Sequence, residues 1–529
     1  MAGTSDEKNH FESVLPTSPA SASSDEAPAP HHNVDTEKNA SSGGTYFVKE
    51  TTADANDGLK VAKDGVTVLI PQPSDDVEDP LNWSWLRKHK VLAALLLPSL
   101  LTDWGMTWGT TLFEAQAVTF HMSIPDVARS VSGGIFLQGP GGVFAVPFVQ
   151  KYGRLPVLFW SQILGFITVL IATFMPSYAS FTAFRALQGF VATSPQVIGL
   201  SVVHDLFFFH ERARKVNIWA FTFLLGPFLG PFISSFLLSK ISWQLDMGVL
   251  AMFYGVSAIL VVLLGEETLY DREKSVKPTA GASKFSILIG IAGARAKAQT
   301  SLMLVSKQLL ELLFKPQLLL PTLYIMLLFT WAIGIVTTVT QFIRPPPYLL
   351  NDTQASLFYL APMVGAVVGE LWGHWFNDFL CNRYIKTHNG QYQPENRLWA
   401  VWPACAFGIG AMVLYGQTLQ KELPVIGLAA AWALMTFSQV ASTTAISAYA
   451  LDIFPHHAAL ASSWINFWRT TGGFCVTYFQ TQWVAKSGAA VTFGIQGAII
   501  AFGFIFIIIT QVWGVKWRHK YPAPAVAEI

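Results

Sequence analysis

Twelve stretches of this chain are apolar for long enough to cross the hydrocarbon core of a bilayer, which takes about 20 helical residues. They fall at 91–112, 130–150, 155–175, 180–203, 214–238, 246–265, 317–343, 354–376, 398–417, 423–446, 458–483 and 488–514. The breaks between them are mostly short, as at Pro176-Ser177-Tyr178, so neighbouring spans are expected to run antiparallel. One longer polar stretch, rich in Glu, Asp and Lys, separates the sixth span from the seventh. The predicted fold class is all-α integral membrane, with twelve transmembrane helices in two six-helix bundles joined by a loop. Five regions follow: a disordered tail over 1–83, a bundle over 84–265, a linker over 266–316, a second bundle over 317–514 and a tail over 515–529. Within the linker, Leu302 to Phe314 is amphipathic and is expected to lie on the membrane face.

Charge fixes the expected orientation. Arg87, Lys88 and Lys90 precede span 1, Lys151 and Arg154 follow span 2, and Arg212, Arg214 and Lys215 follow span 4. Arg383, Lys386 and Arg397 follow span 8, and Lys516, Arg518 and Lys520 follow span 12. Opposite loops carry single charges, so both termini and the linker are expected to be cytoplasmic. No early apolar run reads as a cleavable signal, and the first span, from Val91, is expected to act as the targeting signal.

Composition agrees. Hydrophobic residues make up 52% and charged residues 13%, against about a quarter charged in soluble proteins. A net charge of +1 gives no case for nucleic acid as a partner. Cys381, Cys405 and Cys475 supply neither a disulfide framework nor metal-ligand spacing. His204, His210, His456 and His457 sit at span ends and read as interfacial. No phosphate loop, HExxH or GxSxG elbow is present, which argues against an ATP-driven pump or a hydrolase.

Ionisable residues inside apolar spans cost roughly 2.5–3.5 kcal/mol or more at the helix centre, so they mark function by default. Asp103, Thr107, Thr110 and Glu114 recur at helical spacing in span 1 and predict a polar stripe facing a water-filled cavity. Arg185 and Gln188 lie in span 4, Glu370 in span 8, and Asn466 and Arg469 in span 11. For any one of these a structural ion pair or a snorkelling side chain is the plainer reading; the set together points to a solute pathway. Trp104, Trp108, Phe184, Tyr449, Trp464 and Trp468 are available as aromatic walls, with packing as the competing role. Helix breakers cluster at Gly139-Pro140-Gly141-Gly142 and at Gly226-Pro227 with Gly230-Pro231, and Gly105 and Gly109 form a small-residue seam. Gly226, Pro227 and Gly230 are expected to seal span 5 against Gly365 and Gly369 of span 8.

These motifs, in this order, resemble the major facilitator superfamily, and within it the fungal-type drug and polyamine proton-antiporter branch. The resemblance runs from Leu69 to Trp517. It rests on Asp79-Pro-Leu-Asn-Trp83, on Arg185-x-x-Gln188-Gly189, on Gly226-Pro227-x-x-Gly230 and on His388 to Leu398 (HNGQYQPENRL). The loop Gln150-Lys151-Tyr152-Gly153-Arg154 keeps the family's Gly-Arg end but carries Gln150 at its acidic position. The linker-side gate is therefore expected to be weaker or held differently. EETLYDR from Glu266 matches the Pro-Glu-Thr-Tyr segment with Glu266 for proline, and Gly373, Asp378 and Arg383 resemble the degenerate repeat of the first gate loop.

The resemblance implies a monomeric secondary transporter that uses a proton gradient and no cofactor, working on a small organic solute within the bilayer. Asp103 and then Glu370 are the expected proton sites, balanced against Arg185 or Arg469. Export is the leading expectation. Proton-driven uptake of a polyamine or other nitrogenous nutrient, and a transporter-like solute sensor, remain open. The plasma membrane is the expected location, with the vacuolar membrane as the other choice. Asn351, in the loop between spans 7 and 8, is a glycosylation candidate that the sequence leaves open.

Overall fold

The structure is a computed structural model that describes residues 46–47, 60, 69–238, 240–272, 275–296, 301–388 and 391–524. Most of the expected N-terminal tail lies outside the described residues. The part nearest the membrane does not: residues 71–83 fold onto the protein. Asp79 is fully buried there and caps a short 3-10 turn, Pro80–Asn82, by accepting from the Leu81 amide at 3.0 Å.

The first half contains α1 (Trp85–Thr107), which tightens into a 3-10 turn at Trp108–Thr111, then α2 (Phe113–Phe120), α3 (Ile124–Tyr152), α4 (Arg154–Thr173), α5 (Tyr178–Ala192), α6 (Ser194–Leu206), α7 (Phe209–Leu238) and α8 (Trp243–Leu264). The linker holds α9 (Lys284–Leu288), α10 (Ile291–Arg295) and α11 (Leu302–Leu313). The second half contains α12 (Pro316–Ile343), α13 (Asp352–Phe358), α14 (Leu360–Thr387), α15 (Val401–Gln420), α16 (Val425–Ile453), α17 (Ala458–Val476), α18 (Gln480–Ser487) and α19 (Ala489–Lys520). A two-residue ladder pairs Tyr46 with Tyr392 and Phe47 with Gln391.

Eleven helices among the described residues are long and apolar enough to span a membrane. The expected eleventh span divides into α17 and α18, and α17 is the polar exception: it carries Ser462, Ser463, Asn466, Arg469 and Thr470, all buried. Protein surrounds it, so its polar groups find protein partners. The expected fourth span also divides, at Thr193, where Pro195 follows within the first turn of α6.

Lipid-side character shows in the exposed residues. Met252, Val256, Ile259 and Leu263 form an exposed apolar row on α8, and Phe502, Ile505 and Val512 do so on α19. A surface this apolar suits hydrocarbon. α11 buries Val305, Leu309 and Leu312 and leaves Met303 and Leu310 exposed, as is Phe314 just after it, so the segment presents apolar groups on two sides.

The two halves meet mainly along α17 and α14. α17 packs along α3 and α6, and α14 packs along α7. The glycines that allow close approach sit in these pairs. A Cβ at Gly139 would lie 2.8 Å from Thr470 Oγ1 and 3.2 Å from the Phe467 backbone, and one at Gly373 would lie 2.5 Å from Asn217 Oδ1. Below, the side bearing the linker is called the linker face, and the other the opposite face.

Candidate functional site

At the centre, α1 and α17 are joined by an ion pair across the halves. Arg469 donates from Nη1 to Asp103 Oδ2 at 2.6 Å and from Nη2 to Asp103 Oδ1 at 3.2 Å. Both side chains are buried. Gln138 of α3 donates to Asp103 Oδ1 at 3.1 Å, and Arg469 also donates to Gln196 Oε1 at 2.7 Å and to Asn466 Oδ1 at 2.9 Å. Asn466 in turn donates to the Gln138 carbonyl and to Thr193 Oγ1, at 3.1 and 3.0 Å. The Arg469 guanidinium lies 5.3 Å from the Phe223 ring centre and 5.1 Å from that of Phe329. A buried arginine needs such a set, because each unpaired donor carries its full desolvation cost.

The expected polar stripe of span 1 does not form, because the helix changes at Thr107. Thr107 and Thr110 turn their hydroxyls back onto the carbonyls of Asp103 and Thr107, at 3.0 and 2.9 Å. Glu114 lies on the separate α2 and pairs with Arg344 at 2.7 Å on the opposite face. Asp103 faces Arg469 instead of water. A cleft of about 60 Å³ lies between the halves on the opposite face, beside Arg129, Thr337 and Thr477.

Arg185 has a different task from the one expected. It is 1% exposed and donates to the Gly105 carbonyl at 2.8 Å, the Met106 carbonyl at 2.7 Å and Gln188 Oε1 at 2.6 Å. The last four carbonyls of a helix have no partner within it. For α1 these belong to Trp104, Gly105, Met106 and Thr107. Trp104 is satisfied by the Trp108 amide, Thr107 by Thr110, and the middle two by Arg185. Arg185 is thus a cationic cap on α1, where the helix dipole favours positive charge. Gln188 continues the link to Tyr254, whose hydroxyl donates to the Leu101 carbonyl at 2.9 Å. Gly105 leaves room for both, since a Cβ there would lie 2.5 Å from the Tyr254 hydroxyl.

Glu370 makes a further polar contact between the halves. Asn217 of α7, fully buried, donates to the Glu370 carboxylate and, at 2.8 Å, to its carbonyl. Neither Asn217 nor Gln138, Gln196 and Thr193 stood out in the sequence: each is uncharged, and spans hold many such residues.

The gate candidates fall apart into separate roles. Gly226 and Gly230 close on α1 of their own half, not on α14: a Cβ at Gly226 would lie 2.7 Å from the Leu100 carbonyl, and one at Gly230 2.9 Å from that of Trp104. Gly365 and Gly369 likewise face α16. Pro227 lies within an unbroken α7. Arg154 pairs with Asp205 at 3.1 Å within the first half. Gly153 has φ +108, and its backbone turn brings the Arg154 and Leu155 amides onto Glu267, each at 3.0 Å. Thr268 donates to Asp205 at 2.9 Å, so the EETLYDR segment closes this face of the first half. Burial pushes the Glu267 carboxyl up, while Arg154 and three amides pull it down. Lys151 stands 5.5 Å from the Tyr152 ring centre, Arg383 is exposed on α14, and the Asp378 side chain lies outside the described residues.

Across the halves on the linker face, the rings of His204 and His456 lie 6.1 Å apart and those of Phe209 and Tyr392 5.3 Å. Of the aromatic-wall candidates, Trp104 and Trp108 stack on each other at 5.8 Å inside the first half, and Trp464 donates to the Leu309 carbonyl at 2.9 Å. Tyr449 is buried in the core. These four are packing residues here. Asn351 caps α13 by accepting from the Gln354 amide at 2.9 Å.

Comparison with known proteins places this arrangement. The chain is 25% identical over 415 residues to the MFS-type transporter penM of Penicillium rubens, covering 75% of this chain and 79% of that one. It is 24% identical over 421 residues to the efflux pump radE of Floropilus chiversii, covering 77% of each. In fold it is similar to the proton:xylose symporter XylE, with a TM-score of 0.57 at 12% identity, covering 81% of this chain and 97% of that one. The model of the Major Facilitator Superfamily matches residues 93–477. An integral multi-pass membrane protein of this kind is a secondary transporter and not an enzyme, and the chain belongs to the Major Facilitator Superfamily.

Proposed function

We propose that this transporter exports a small organic solute, of the drug or secondary-metabolite kind, in exchange for protons. The observation that carries the reading is the Asp103–Arg469 pair, which ties the halves together at 2.6 Å inside the bundle. A proton on Asp103 removes the charge that Arg469 binds. The pair then loses most of its attraction while Arg469 keeps its cost of burial, which favours an arrangement in which the halves separate and Arg469 meets water or solute. Glu370, held by Asn217, is another carboxyl that joins the halves. Contacts at the linker face, the centre and the opposite face support reading this arrangement as an occluded state of alternating access. The efflux name of one relative supports the outward direction.

The charge bias of the loops supports a cytoplasmic linker face, and the plasma membrane is the proposed location of what we take to be a monomer. Solute flux in everted and right-side-out vesicles, under an imposed pH gradient and across candidate solutes, tests the proposal. Export predicts gradient-driven accumulation in everted vesicles. Accumulation only in right-side-out vesicles would replace it with uptake by symport.

A further inference from the structure

Asp246, in the first turn of α8, is fully buried. Ser234 of α7 lies 2.6 Å from its Oδ2, and Ser234 in turn lies 3.1 Å from Thr111 in the 3-10 turn that follows α1. Its Oδ1 is buried with the Trp108 indole N–H directed at the carboxyl, and neither atom completes a close hydrogen bond among the described residues. No ion pair reaches Asp246 among the described residues.

The titratable groups on the elements around it are committed elsewhere or lie far along the chain. On α1, Asp103 is paired with Arg469; on α2, Glu114 is paired with Arg344. On α8 itself, Tyr254 lies two turns further on and donates to the Leu101 carbonyl. From Leu155 to Thr173 α4 carries no charged residue, and α7 carries none beyond Lys215. The support for a charge comes from Ser234, from the Trp108 indole N–H and from the N-terminus of α8, which together favour an anion by less than a fully buried carboxylate without a cationic partner loses.

We propose that Asp246 is a further proton-binding carboxyl, carried neutral in this arrangement. As a neutral acid it donates from Oδ2 to Ser234 Oγ, and Ser234 donates to Thr111; Oδ1 becomes an uncharged carbonyl oxygen, which tolerates burial better than an unpaired anionic one. Loss of that proton reverses the hydroxyl chain and leaves a charge behind the turn that ends α1. Ionisation of Asp246 therefore works against the packing of that turn on α7 and α8, at a place separate from the Asp103–Arg469 pair.

The test needs no solute, so its result stands apart from the direction or substrate of transport. Infrared difference spectra of the full chain in lipid vesicles should show a protonated-carboxyl C=O band at pH 7 that is missing in Asp246→Asn and shifted in Asp246→Glu. The wild-type band should also bleach as pH is raised. Ser234→Ala gives a second reading: for a neutral acid the melting temperature falls by only a few degrees, because one hydrogen bond is lost. A pH 7 spectrum without a band assignable to Asp246, or collapse of Ser234→Ala in membranes where Asp246→Asn folds normally, would overturn the proposal.

Discussion

Arg469 grips both oxygens of the Asp103 carboxylate, at 2.6 and 3.2 Å, from 366 residues along the chain and from the other half of the molecule. Removing one partner of a buried pair leaves the other uncompensated, at a cost of about 3–5 kcal/mol. Asp103→Asn and Arg469→Gln should each weaken the occluded state, and the double variant should recover part of the loss. A double-mutant cycle on unfolding should give a coupling of about 1–3 kcal/mol. Additive effects would mean the two residues do not work as a pair.

Arg185 should behave as a cap and not as a solute ligand. Lysine has no fork to reach both carbonyls and Gln188, so Arg185→Lys should leave at least one buried carbonyl unpaired and cost about 1–3 kcal/mol. Arg185→Ala should cost more. Thermal unfolding of the purified variants checks this, and unchanged melting with lost transport would restore the solute-binding role.

Gly226 and Gly230 face the backbone of α1, so a larger side chain there strains one half without parting the two. Gly230→Val should lower the amount of folded protein, at about 1–3 kcal/mol or more for overpacking, with no rise in proton leak per molecule. Gly139→Val, in the α3–α17 contact, should raise leak. Leak and surface amount measured in the same vesicles separate these outcomes, and a leak from Gly230→Val alone would reverse the assignment.

His457 is buried and shares a hydrogen bond with the Pro524 carbonyl at 2.9 Å. Burial, its first cause, holds its pKa below the ordinary 6.5, against the pull of that carbonyl. The unfolded chain then binds a proton that the folded one does not, so stability present above pH 6.5 is lost as pH falls below it, by up to about 1.4 kcal/mol per pH unit. His457→Gln should flatten that slope in melting curves between pH 7 and 5. An unchanged slope would place the sensitivity elsewhere.

The spans were legible because each is a long apolar run, and a bilayer leaves few other ways to satisfy its backbone. Asp103, Asn466 and Arg469 were legible too, since charge and amide stand out in such runs. Their pairing was not: the partners lie in different halves, and no local pattern links them. The end of α1 at Thr107 was hidden for a related reason. Nothing in Gly105-Met106-Thr107 stops a helix; the stop is stabilised by Arg185, 80 residues away from Gly105 in sequence. The glycine seam of α7 was read correctly as a close contact but assigned to the wrong neighbour, because small-residue spacing says that a helix approaches and not which one.

The proton-sensitive link between the halves is tested most directly by the distance between them as pH changes. Spin labels at Arg214→Cys and Thr387→Cys, with Cys381, Cys405 and Cys475 replaced, place one probe on each half, at the start of α7 and the end of α14. In lipid vesicles at pH 5 and pH 8, the chain with Asp103 intact should differ in its distance distribution between the two pH values. Asp103→Asn should show one distribution at both pH values, matching the acid form. A pH-dependent shift of the same size in Asp103→Asn would contradict the account.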